Sequence, residues 1–175
     1  MNLIDALLLF LIMTGLAIMP SSSVALVITR SISSNTANGI AVALGILLGD
    51  LIFIFLAIFG LSFIAETMGN VFLVIRYLGG VYLLWFGYTL LSNTKKSTLT
   101  VNKSSQKGSL ITSFSAGLLL TLGDIKAIVF YISLFPTFVD LTALNLIDTF
   151  IILLITIIAV GGVKIVYACL ANRVM

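Results

Sequence analysis

The chain has 175 residues, 61% of them hydrophobic and only 9% charged, with a formal net charge of +3. Soluble domains carry roughly 25% charged residues, so this composition excludes a soluble fold and points to an integral membrane protein. Histidine is absent and Cys169 is alone, which removes the commonest general base, a disulfide framework and a thiolate metal site.

A membrane span needs about 20 largely apolar residues. The first candidate runs from Leu3 to Thr29, with Asp5 the first charge and Arg30 the first cation. A secretory leader begins with a basic region, so this run reads as a retained span. Well inside it lies Pro20-Ser21-Ser22-Ser23. Proline removes a backbone donor, and lipid tolerates that only where the freed groups meet protein or a water-filled cavity. Next comes RSISSNTANG, which reads as a polar loop.

The second candidate is Ala37 to Leu61. Ala37, Ala41, Gly45 and Gly49 recur every fourth residue and form one smooth stripe for close helix contact. Asp50 follows directly. At about 1.5 Å per residue from Ile40 it lies roughly 15 Å deep, near the bilayer midplane. The nearest charges in sequence, Arg30 and Glu66, lie outside the span. An ionisable group at that depth is a functional candidate by default.

The third candidate is Val71 to Leu91, with Arg76 in its first turns and Trp85 and Tyr88 reading as an interfacial belt. A hydrophilic linker follows, residues 92–109, carrying Lys95, Lys96, Lys103 and Lys107. The fourth candidate, Leu110 to Phe135, is expected to stop at Pro136. Its centre holds Gly123, Asp124 and Lys126. Residues two apart do not face each other on an intact helix. Either the helix breaks at Gly123 or each charge has a partner elsewhere. Asp140 and Asp148 read as a short acidic loop. The fifth candidate runs from Thr149 to about Leu170, with Lys164 close enough to its end to snorkel.

The expected fold is therefore all-α: a polytopic membrane helix bundle of five transmembrane helices in one domain, residues 1–175. Lysines clustered in one loop place that linker in the cytoplasm and the N-terminus outside. GLAIMPSSSVALVI, from Gly15 to Ile28, echoes GLLLTLGDIKAIVF, from Gly117 to Phe130, with both interruptions aligned. Three spans and then a copy give an inverted repeat: residues 3–91, the linker 92–109, and an incomplete second repeat 110–175. Interrupted hydrophobic segments at matching positions point to a binding site in such transporters.

These residues resemble the lysine exporter (LysE/RhtB) family of amino-acid exporters. MPSSSVALVITRSISSNTANGIAVALGILLGD is similar to the family's opening proline motif, Gly-rich second helix and intramembrane Asp. IRYLGGVYLLWFGYTLL is similar to its third helix, and FSAGLLLTLGDIKAIVFYISLFPTF to its second-half motif. The chain departs where Ser22 replaces a second proline, where Asp124-Ile125 replaces Asn-Pro, and in lacking the family's usual final helix. The resemblance implies a multi-pass plasma-membrane protein that exports amino acids, with a homodimer as an open option.

The residues alone lead to a compatible chemistry. Backbone donors at Pro20, Ser21, Ser22 and Ser23, with Lys126, can hold a carboxylate. Asp50 or Asp124 can hold an ammonium or exchange a proton. The expected site is these residues with Gly123, and Ala41, Gly45 and Gly49 pack helices. The expected partners are the lipid bilayer and an amino-acid-like substrate, with no nucleic acid, cofactor or metal. The alternative is an inorganic-cation exporter or channel using the two aspartates, which the charge of Lys126 opposes. Midplane charges argue against a mere scaffold. No nucleophile–base pair, metal cluster or cofactor loop suggests an enzyme.

Overall fold

The computed structural model describes residues 3–61, 73–74, 77–82, 84–85, 88, 109–139 and 145–171. Outside the described helical residues between 73 and 88, six helical segments organise the rest: α1 (Leu3–Ile18), α2 (Ser22–Ser33), α3 (Thr36–Leu56), α4 (Leu110–Leu122), α5 (Ile125–Phe138) and α6 (Leu146–Ala171). No strand occurs among the described residues. The protein is an all-α membrane helix bundle. Thr36–Gly60 and Leu146–Ala171 are each long and apolar enough to cross a bilayer. Two bent pairs bring the spans to four if each pair is one: α1 with α2 at 57°, and α4 with α5 at 52°. About half of the third candidate span, with Arg76, the linker up to residue 108 and Asp140, lies outside the described residues.

Both breaks fall where the sequence interrupts the ladder of helical hydrogen bonds. Pro20 has no N–H to give, and α1 closes with Met19 N–H donating to the Gly15 carbonyl at 3.2 Å. Gly123 ends α4, its N–H reaching the Leu119 carbonyl at 3.1 Å. Asp124 then takes extended backbone angles and caps α5.

Three boundaries differ from the sequence reading. RSISSNTANG is mostly helix, not loop. α2 continues to Ser33, and α3 starts at Thr36 because the Asn35 side chain accepts from the Asn38 N–H at 2.9 Å. Polarity there reflects a helix hairpin end rather than irregular chain. Pro136 does not stop α5, which runs on to Phe138 through a widened π-helical turn at Phe130–Leu134. Hydroxyls serve carbonyls around it: Ser133 donates to Val129 at 2.8 Å and Thr137 to Ser133 at 3.2 Å. α6 starts at Leu146, so Asp148 lies in its first turn, where the helix dipole favours an anion, and it is buried.

The expected glycine stripe packs on α4. A methyl group at Gly45 would strike the Phe114 carbonyl, and one at Gly117 would strike the Val42 carbonyl. Only hydrogen side chains let the two backbones come this close. Gly49 faces Thr121, and buried Ser113 donates to the Asn38 side chain at 2.7 Å. Ala37 is exposed, so the contact runs from Asn38 and Ala41 to Gly49.

α1 lies along α6, and α2 packs on α3 and on the last turns of α6. Leu9, Met13, Ile54, Phe135 and Ile152 are fully buried in the core. Outward-facing Leu3, Leu7, Leu11, Leu146 and Phe150 are exposed. In lipid such a face meets a matching solvent.

Candidate functional site

The two breaks face one cavity of about 510 Å³. That volume suits a small organic molecule. Apolar side chains make most of its wall, among them Ile12, Leu16, Ile46, Leu84, Phe130 and Leu134. Four charged side chains also line it: Asp50, Asp124, Lys126 and Lys164. Their formal charges balance.

At the second break the Asp124 side chain accepts the Lys126 N–H at 3.0 Å, and Lys126 Nζ lies 3.5 Å from Asp124 Oδ2. An intact helix would separate these two groups. Because Asp124 leaves helical geometry, the lysine folds back onto it. The pair is partly open to the cavity, with side chains 28% (Lys126) and 18% (Asp124) exposed.

The first break is held from the far end of the chain. Lys164 Nζ donates to the Ala17 carbonyl at 3.2 Å and to Ser23 Oγ at 3.0 Å. Tyr167 Oη donates to the Ile18 carbonyl at 2.9 Å. These are carbonyls that the end of α1 leaves without helical partners. Ser21 and Ser23 share a hydroxyl contact of 2.8 Å, and Ser21 makes no side-chain cap to α2. Among the described residues the first N–H groups of α2 therefore take no side-chain cap from Ser21, and the positive end of the helix dipole lies behind them.

Lys164 corrects the sequence reading. It does not snorkel to a surface but is 3% exposed. α6 passes the broken span at this height, and the break supplies carbonyl and hydroxyl acceptors that an intact helix would have consumed.

Asp50 projects from the middle of α3 and is buried. It shares the cavity wall with Tyr131, Lys164 and Asp124. Tyr131 sits in the π-helical turn of α5, held by rings of Phe53 at 5.7 Å and Phe135 at 5.9 Å.

Of the residues singled out in the sequence, Pro20, Ser21, Ser23, Asp50, Asp124 and Lys126 line this one cavity. Ser22 and Gly123 do not; they shape the breaks. Lys164, Tyr131 and Thr121 line it without having been assigned to a site. For Lys164 a signal existed: an ionisable residue within an apolar run, just after Gly161-Gly162.

Two broken spans meeting around a charge-bearing cavity inside a membrane bundle define a transporter rather than an enzyme. The model of the LysE type translocator family matches residues 15–175, and the chain belongs to that family. It is 45% identical over 165 residues to an uncharacterized membrane protein of Synechocystis, covering 94% of this chain and 79% of the relative. It is 31% identical over 144 residues to a leucine efflux protein of Enterobacter, covering 81% of this chain and 67% of the relative. A leucine efflux protein of Salmonella choleraesuis is 32% identical over the same length, with 66% of it covered. The chain thus spans about two thirds of these two leucine efflux proteins. No solved structure matches it.

Proposed function

We propose that this protein exports amino acids with apolar side chains, or similar small zwitterions, in exchange for protons. The observation that carries the reading is a single cavity with an apolar wall and both charge signs. A zwitterion needs an anion for its ammonium and donors for its carboxylate. Asp50 serves the first need, and the uncapped start of α2 serves the second. The apolar wall suits an aliphatic side chain, and the names of the leucine efflux relatives support that class. A buried carboxyl within reach of substrate is a natural proton carrier, which supports assigning exchange to Asp50. Two lysines in the same cavity count against an inorganic cation as cargo.

The reading extends to arrangement. We place the protein in the plasma membrane, with its N-terminus outside and the 92–109 linker inside. Two similar breaks, at 57° and 52°, support two repeats, 3–91 and 110–175, in one domain. A homodimer belongs to the same reading, and cross-linking in the membrane tests it. The decisive experiment compares cells with and without the protein, loaded with leucine, isoleucine, valine or methionine. Faster efflux, accelerated by an inward proton gradient, is expected. Equal efflux of all four overturns the proposal.

A further inference from the structure

We propose that Lys164 reads the substrate carboxylate and so determines that only molecules with a free carboxylate are exported well. The inference rests on the amino-acid reading above and adds to it a residue and a rule of selection.

An ammonium has three donors and no acceptor. Two of those on Lys164 go to the Ala17 carbonyl and Ser23 Oγ. Asp50 lines the same cavity but is not among the hydrogen-bond acceptors of Lys164. Among the described residues one N–H is therefore left on a charged group that lines the cavity yet is almost wholly removed from bulk water. Such a donor is costly to leave unmet and favours an anion strongly. The start of α2 lies beside it, since Ser23 is in the first turn of that helix. A carboxylate has two oxygens. One meets Lys164 while the other meets the free N–H groups of α2.

The other lysine is placed differently. Lys126 is paired with Asp124 at 3.5 Å, and its side chain is far more exposed than Lys164. The buried lysine is thus the better-fixed reader. Its position between the two halves matters too: α6 supplies the ammonium, and the break in the first span supplies its acceptors. Substrate bound there touches both halves at once.

The test uses purified protein in proteoliposomes and transport of radiolabelled L-leucine. Two competitors dissect the ligand. Leucinol keeps the ammonium and side chain but lacks the carboxylate; 4-methylpentanoate keeps the carboxylate but lacks the ammonium. Wild type should prefer leucine over leucinol. In Lys164→Gln the leucine KM should rise by about tenfold or more, the weight of one hydrogen bond to a charged group. Inhibition by leucinol should not change, so the preference collapses. Tyr167→Phe is the control for a purely structural role, because Tyr167 serves the same junction through the Ile18 carbonyl. It should leave the preference intact. If Lys164→Gln does not survive purification, Lys164→Arg is read instead, and should shift the leucine KM without shifting leucinol inhibition. Equal shifts for both ligands, or an unchanged preference, overturn the inference while leaving the amino-acid reading standing. Wild-type liposomes that move no leucine overturn both.

Discussion

Lys164 Nζ donates to the backbone carbonyl of Ala17 at 3.2 Å, across 147 positions of sequence. The contact joins the last helix described to the bend in the first span. A side chain here does what the next turn of helix would have done, and it brings a charge with it.

Asp50 should carry transport more than stability. Asp50→Asn keeps the shape but cannot hold a charge. Lys164 keeps both of its acceptors in this variant. Leucine efflux is expected to fall by about tenfold or more, as for loss of one charged hydrogen bond. Insertion and monodispersity in detergent should survive. Efflux at the wild-type rate would make Asp50 a structural residue.

The Asp124–Lys126 pair should contribute little to folding. It is partly exposed to the cavity, and such pairs couple by about 1 kcal/mol or less. A double-mutant cycle of Asp124→Asn and Lys126→Met, read by thermal unfolding, measures it. A coupling well above about 3 kcal/mol would mark a buried structural pair instead.

These two sites show what the sequence could convey. The breaks at Pro20 and Gly123 were legible because each is a local defect: a missing donor in one case, a charge pair at impossible helical spacing in the other. Asp50 was legible from depth alone. Lys164 was not, since linear distance to the end of its span suggested an easy route to water. Its true partners sit 147 and 141 positions away and exist only because another helix is broken. RSISSNTANG differs for a related reason. Polar residues mark where a chain meets water, and helices meet water too.

The glycine contact between α3 and α4 should be intolerant of any added carbon. At Gly45 and Gly117 the obstacle is backbone, which cannot rotate away. Gly45→Ala or Gly117→Ala should cost about 1–3 kcal/mol through overpacking. Gly162, with nothing near its would-be methyl group, is the matched control. Equal melting temperatures for Gly45→Ala and Gly162→Ala would remove the contact from the account.

Orientation can be tested with one thiol at a time. Cys169 is the sole cysteine and is exposed, so Cys169→Ala supplies a silent background. A new cysteine at Ser97 or Ser104 in the basic linker should react with impermeant maleimide only after the cells are opened. Reaction in intact cells would reverse every loop.

The Asn38–Ser113 hydrogen bond joins residues 75 positions apart. At the usual 5–20 residues per second, that interval is roughly 4–15 s of synthesis. During it α3 exists while α4 does not. A buried amide and a bare backbone stripe must therefore wait in the membrane for their partner. Until Ser113 is made the amide oxygen of Asn38 lacks that donor, so each newborn chain passes through a vulnerable moment before its second half arrives. The length of that wait depends on the linker, because each residue added to it postpones the arrival of α4.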